Sequence, residues 1–349
     1  MVKNKKYLII ILLIILAFIL NACGPRGHRM GDQRRRHQHN PGIGNDQRPN
    51  NPGMRNRGRI TSVCNGKNDL SKIPSNMIKA ASKYTSLNKE NLVHVFTEDT
   101  NSDGKVESIV IEADDLPEHK SVYYERGHKH YEDYDYETNI HKYASVHTGQ
   151  RARSAGRNKI EKQTLVMKMP SEPKPAKRKT QTSFGAIGIA LNGVAFFNEN
   201  AAPGHKIVDE LFTFDQCSGH PQNRGMYHYH VDPVCLIRDL GGSIKVVSKS
   251  IDGKSYKWIE DTGENAGLLL GFLMDGYPVY GPIWNGEKDC NRNKVPKIDE
   301  YNGHEHCTED FASGIYHYHV KTANLGGENN PVFWITNKYF YGEPGILGQ

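Results

Sequence analysis

GIALNGVAFFN, residues 188–198, and GFLMDGYPVYG, residues 271–281, share one pattern. In each, an apolar run meets Asn-Gly or Asp-Gly and a second apolar run follows. A two-residue Asn-Gly or Asp-Gly between apolar runs is the strongest short hairpin signal, because a type I′ turn needs positive φ at both central positions. Further along, CSGHPQNRGMYHYHV (217–231) and CTEDFASGIYHYHV (307–320) pair a cysteine with a Tyr-His-Tyr-His motif. Hairpin, cysteine and motif recur in the same order. The offset is 83 residues between Gly193 and Gly276 and 89 between Tyr227 and Tyr316. The chain therefore reads as internally duplicated, with repeats at about 184–240 and 266–325 packed about a pseudo-two-fold axis.

Shorter strand signals surround these hairpins. Val106 to Ile111, Thr164 to Met169, and the pair Ile244–Val247 and Ser255–Ile259 flanking Asp252-Gly253 all read as strands, as does PVFWIT (331–336). Only Ser75 to Tyr84, after Pro74, reads as helix. Many short strands with Gly, Asn and Pro punctuation predict an all-β fold, mainly an antiparallel sandwich or barrel, with minor helix.

The N-terminus reads as an export signal. Lys3, Lys5 and Lys6 precede an unbroken apolar run from Tyr7 to Leu20. That length suits a signal-peptide core of ~7–15 residues and falls short of the ~20 a spanning helix needs. Leu20-Asn21-Ala22-Cys23 resembles the bacterial lipoprotein cleavage box, in which the cysteine becomes the acylated N-terminus. The expectation is a signal peptide over 1–22, a lipid anchor on Cys23, and an extracytoplasmic protein tethered to a bacterial membrane. By resemblance to enterobacterial sorting, Gly24 after the cysteine points to the outer membrane where the organism has one. Residues 23–59 form a basic tether poor in large apolar side chains, so they cannot offset ordering entropy by burial and are expected to be disordered. Residues 24–59 hold nine arginines against two acids, a charge of +7; the leader's lysines add +3. The whole chain is +6, which leaves −4 for residues 60–349. Basicity thus belongs to the tether, and no nucleic-acid surface is expected on the folded part. The tether can lie against anionic headgroups at ~1 kcal/mol per basic residue or serve as a solvated spacer.

Beyond Cys23 stand Cys64, Cys217, Cys235, Cys290 and Cys307. Disulfides are allowed outside the cytoplasm. The spacing predicts Cys217–Cys235 and Cys290–Cys307 with Cys64 left over; the rival pairing is Cys217–Cys307 across the repeats. Either short loop closed in this way is worth ~3 kcal/mol in the chain-entropy model.

On a strand, successive side chains face opposite ways. Tyr227 and Tyr229 then share one face, and His228 and His230 the other; Tyr316, His317, Tyr318 and His319 repeat the arrangement. His-x-His on a strand spans ~6.6 Å, at ~3.3 Å per residue, which allows chelation of one ion. Aligning the repeats on Cys217 and Cys307 supplies third ligands, His220 and Asp310. The sets are His220/His228/His230 and Asp310/His317/His319, of a kind that takes copper, zinc or iron. His304 and His306 are rival third ligands in the second copy. Another arrangement gathers all four motif histidines around the pseudo-axis. Two other readings stay open: a buried hydrogen-bond ladder in which each imidazole meets a backbone carbonyl, and a metal-free acid–base site. Asp99-x-Asn101-x-Asp103-Gly104 imitates a calcium loop, but Val110 stands where that loop needs Glu; a turn is the better reading. His128 and His130 read as a solvated loop.

Segments 187–204, 215–236, 274–282 and 314–320 resemble the YHYH-domain protein family, with weaker matches at Leu116–His119 and at Asn158–Ile160 with Gln163. The resemblance covers roughly residues 90–325; residues 120–157 look longer and more charged than the family pattern. The resemblance carries no established reaction. Two classes of function follow from the residues: a metal-dependent enzyme or metal-handling protein, and a non-catalytic module in which Tyr277, Tyr280 and Trp284 recognise a ligand.

Overall fold

The computed structural model describes residues 73–87, 93–132, 158–203, 205, 207, 210–251, 253–282, 298–324, 331–334 and 338–348. Cys23, Cys64, Cys290, Trp284, the leader and the basic tether lie outside these residues. The described part is built mostly of strands, with short helices, and forms a sandwich with no closed barrel.

The larger layer has eight strands. In chain order they are β4 (Ala186–Ala190), β5 (Ala195–Phe197), β6 (Gly219–Pro221), β7 (Tyr227–Tyr229), β10 (Leu269–Leu273), β11 (Pro278–Tyr280), β12 (Gly303–His306) and β13 (Ile315–His319). Their spatial order is β12-β13-β11-β10-β4-β5-β7-β6, which matches itself when read from either end. Both expected hairpins form, β4 with β5 and β10 with β11, each antiparallel, but their turns are not type I′: Gly193 at φ +81 and Gly276 at φ +83 are left-handed and Asn192 and Asp275 are not. The outer strands join differently. β5 runs parallel to β7, and β11 parallel to β13, so the sheet is mixed.

β4 and β10 meet antiparallel at the centre. Ile189 lies opposite Phe272, which is its own equivalent 83 residues on, while Gly188–Leu273 and Ala190–Gly271 exchange under the same operation. The pseudo-axis passes here, normal to the sheet. The backbones approach so closely that a Cβ on Gly188 would stand 2.4 Å from the Phe272 carbonyl oxygen, and one on Gly271 would stand 2.3 Å from that of Ile189.

The second layer is a four-stranded antiparallel sheet of β1 (Val93–Glu98), β2 (Ser108–Ala113), β3 (Leu165–Pro170) and β16 (Ile346–Gly348). Alternation along β3 buries Leu165, Met167 and Met169. These join Ile109, Ile111, Ile189, Phe196, Phe272 and the four motif tyrosines in one core cluster. The tyrosines therefore face the shared core. Helix signals resolve into α1 (Ile73–Ala81) and α2 (Lys83–Leu87), together longer than expected. The hairpin β8 (Ile244–Ile251) and β9 (Lys254–Asp261) turns at Gly253, and β14 (Lys321–Asn324) pairs with β15 (Pro331–Trp334).

Candidate metal centres

Each Tyr-His-Tyr-His strand sits between a parallel neighbour and an antiparallel one. In the first half, β6 lays His220 directly opposite His228, and His230 follows two residues on. In the second half, β12 lays His304 opposite His317, followed by His319. All six rings are buried. Within each trio one ligand atom from every residue lies within 4.8 Å of the others, so each trio can hold a metal ion.

Asp310, expected as the third ligand of the second set, lies elsewhere. It accepts from Lys83 Nζ at 2.5 Å and from Tyr280 Oη at 3.1 Å. The expectation failed because the two halves do not align on Cys217 and Cys307. They align on Asp-x-x-x-Gly-His, DQCSGH at 215–220 and DEYNGH at 299–304, an offset of 84 residues. Ser218 at φ +70 and Asn302 at φ +62 take the same left-handed turn, and the following glycine and histidine enter the strand. The extra residues of the second half fall between His304 and His317. The alternative with all four motif histidines at the axis is also overturned: β7 and β13 stand five strand steps apart, roughly 24 Å at ~4.8 Å per step.

The Nδ1 contacts of the motif histidines match between the two trios. His228 Nδ1 donates to the Met226 carbonyl at 3.1 Å, and His317 Nδ1 to that of Ile315 at 2.9 Å. His230 Nδ1 donates to the Asn198 carbonyl at 2.5 Å, and His319 Nδ1 to that of Gly281 at 3.0 Å. Those carbonyls immediately follow β5 and β11. His220 Nδ1 meets Thr213 Oγ1 at 2.6 Å, while that hydroxyl donates to the Glu210 carbonyl at 2.7 Å. A carbonyl only accepts, and a hydroxyl whose proton is used accepts too. Each of these five Nδ1 atoms therefore carries its proton, and each neutral ring presents a bare Nε2 lone pair. The Nε2 atoms converge: the bare lone pairs of His228 and His230 are 3.0 Å apart, and those of His317 and His319 lie 3.1 and 3.2 Å from His304 Nε2. Burial pushes His220, His228 and His317 well below the usual imidazole range, His230 down to about 4 and His319 to about 3. Neighbouring imidazoles add to this for His220, His228, His317 and His319.

The tyrosines anchor the strands from behind. Tyr227 Oη donates to Asp215 at 2.8 Å, and Tyr316 Oη to Asp299 at 3.1 Å. Tyr229 Oη accepts from Asn192 Nδ2 at 3.0 Å, and Tyr318 Oη donates to Asp275 at 2.5 Å. Asn192 and Asp275 are the hairpin residues that precede Gly193 and Gly276. Burial raises the Asp275 carboxyl to about 6.

Asp215 also accepts from Ser121 Oγ at 2.6 Å, and His119 Nε2 lies 3.1 Å from Tyr227 Oη. His119 is close to Cys217 and Cys235, but those sulfurs are joined in a disulfide with Cα atoms 5.0 Å apart, which rules out the Cys217–Cys307 pairing. Cys235 reaches Cys217 from α3 (Val234–Asp239), the helix that follows Pro233. Cys307 is also disulfide-bonded; its expected partner Cys290 lies outside the described residues. Asp99, Asp103 and Glu107 cluster on an exposed turn, with Asp99 accepting from the backbone of Asp103 and Gly104. His128 is exposed and stacks on Tyr124.

A cleft of about 460 Å³ opens onto the first trio, and His220, His228 and His230 form part of its wall with Phe197 and the exposed Phe184. Phe197 stacks on His228 with ring centroids 3.9 Å apart. These features define a duplicated β-sheet protein with a three-histidine centre in each half. Residues 166–295 match the model of the family described as YHYH protein, and the chain carries the domain of that family. The match includes the first trio and ends before His304, His317 and His319. No curated protein and no solved structure matches the chain.

Proposed function

We propose that this protein is a cell-envelope lipoprotein that binds transition-metal ions, one in each three-histidine centre. The observation that carries the reading is the facing Nε2 lone pairs of His228 and His230, with the Nε2 atoms of His317 and His319 gathered about that of His304 at the same spacing in the second trio. The hydrogen-bond ladder accounts for the Nδ1 half of the pattern, since most of these imidazoles meet a backbone carbonyl. In the first trio it leaves the bare acceptors of His228 and His230 pointed at one another across 3.0 Å, an arrangement that a cation between them relieves. Protons are poor candidates, because burial disfavours the charged imidazole. A tetrahedral ion at ~2.0–2.1 Å from each nitrogen separates its ligands by about 3.3 Å, close to the Nε2 spacings. Neutral imidazole suits copper, zinc and iron. Nδ1–H bonds to carbonyls, with their fixed tautomer and ring direction, are the usual supports of such ligands.

Elemental analysis of protein purified without a metal-affinity tag tests this. The expectation is up to two ions per chain, with half lost on His228→Ala and half on His317→Ala. Metal-free protein whose stability is indifferent to chelators would return the trios to a structural ladder.

The envelope part of the reading rests on the charged start, the short apolar run and Ala22-Cys23. Cleavage before Cys23 with acylation of that residue makes the anchor, and two or more chains make it stable because each buried CH₂ adds ~0.8 kcal/mol. Mass spectrometry of membrane-extracted protein is the check; a mature chain still beginning at Met1 would contradict it.

A further inference from the structure

The two halves repeat each other so closely that their differences at the metal centres carry information. Aligned on His220 and His304, the residue two places on is Gln222 in the first half and His306 in the second. Residues i and i+2 of a strand share a face, so His306 lies on the side of β12 that carries His304. Its ring centroid is 5.9 Å from that of His304 and 6.4 Å from that of His317. Rings within the second trio stand 4.7–4.9 Å apart. The His306 ring thus stands at least one ångström farther out than the rings of the trio, with its Nε2 3.8 Å from Cys307 Sγ.

In the first half the corresponding place belongs to the cleft. Gln222, with its amide nitrogen 3.5 Å from Met226 Sδ, forms part of the cleft wall beside His220 and His228. The ring over the motif differs as well: Phe197, stacked on His228, corresponds to Tyr280, which stands edge-on to His317 and hydrogen-bonds to Asp310.

We propose that the two centres are unequal, the first holding its metal through three histidines with one position open to an exogenous donor ligand arriving through the cleft, and the second closed by His306 as a fourth ligand. The open centre is of the kind that activates water or takes a substrate donor atom, whereas four protein ligands make a structural site. This inference rests on the metal-binding reading above.

Cobalt(II) supplies the probe, since its visible spectrum reports each change of ligand. Full-length protein in detergent is loaded with cobalt and titrated with azide. The expected result is two cobalt ions and one azide per chain. The azide-induced spectral change disappears in His228→Ala and persists in His317→Ala. His306→Gln, which places the first half's residue in the second, raises the azide stoichiometry from one to two. Two azides on the unmodified chain, or none, would overturn the inference while leaving metal binding intact, and so would an unchanged stoichiometry in His306→Gln. Failure to bind cobalt at all would overturn both. The measurement on the unmodified chain decides the main point even where a variant fails to fold.

Discussion

At the scale of single residues, the chemistry of each centre is set by what lies behind the imidazole. Thr213 holds His220 Nδ1 through its hydroxyl, whereas His228, His230, His317 and His319 are held by backbone carbonyls. Thr213→Val keeps the shape, removes the acceptor for His220 Nδ1–H, and frees the ring to take the other tautomer. Loss of such an outer partner typically weakens metal affinity 10–100-fold. Competition with a chromophoric chelator should show that loss in one of two sites only; unchanged affinity at both would mean that the Thr213 contact does not orient the ligand. A second consequence is pH dependence of the metal-free chain. An unfolded histidine titrates near 6.5, whereas His230 does so at about 4 and His319 at about 3. Between these values the unfolded chain binds more protons, so stability rises with pH and is lost as pH falls from about 6.5 through about 4. Asp275, raised to about 6, acts the other way: its folded form binds the proton first, and its contribution grows as pH falls from about 6 toward the ordinary carboxylate range. The buried histidines outnumber it, so urea midpoints of chelator-treated protein should drop on acidification over that window. A flat or rising profile would contradict the burial of neutral imidazoles.

At the scale of elements, the hairpins and the motif strands were legible before the structure, and the third ligand of the second centre was not. Asn192-Gly193 and Asp275-Gly276 announce their turns because positive φ there is met by glycine. Period-two alternation sorts Tyr227 and Tyr229 from His228 and His230 without any tertiary information. The position of His304 depended on choosing the right alignment, and the two cysteines invited the wrong one. Asp-x-x-x-Gly-His is the sounder guide because each of its residues has a job: the aspartate receives the motif tyrosine, the left-handed residue makes the turn, and the histidine faces the site. The parallel joins of β5 to β7 and β11 to β13 were also out of reach, since nothing local encodes which neighbour a strand will choose. Two predictions belong here. Gly271→Ala forces a methyl group against the Ile189 carbonyl at the centre of the sheet, and overpacking of this kind costs about 1–3 kcal/mol; a denaturation midpoint equal to that of the unmodified protein would mean that β4 and β10 do not approach as described. Replacing Cys217 and Cys235 together by serine releases a loop with a sequence separation of 18. The loss is about 3 kcal/mol, read as a lowered midpoint that reducing agent no longer shifts at this pair.

At the scale of the whole molecule, the pseudo-axis is what turns a repeated motif into two centres. The palindromic strand order carries each Tyr-His-Tyr-His strand outward from β4 and β10, with the tyrosines toward the shared core and the histidines on the opposite face. Duplication supplies two copies of one arrangement, and the cleft and His306 distinguish them. The most direct test is crystallographic: anomalous difference maps collected at the absorption edges of copper, zinc and iron from crystals of the protein as purified or supplied with the ion. The account predicts two peaks, roughly 24 Å apart across the strands, one within bonding distance of the Nε2 atoms of His220, His228 and His230 and the other of those of His304, His317 and His319. Maps with no peak at either trio under saturating metal, or with peaks bound only by surface residues, would contradict it.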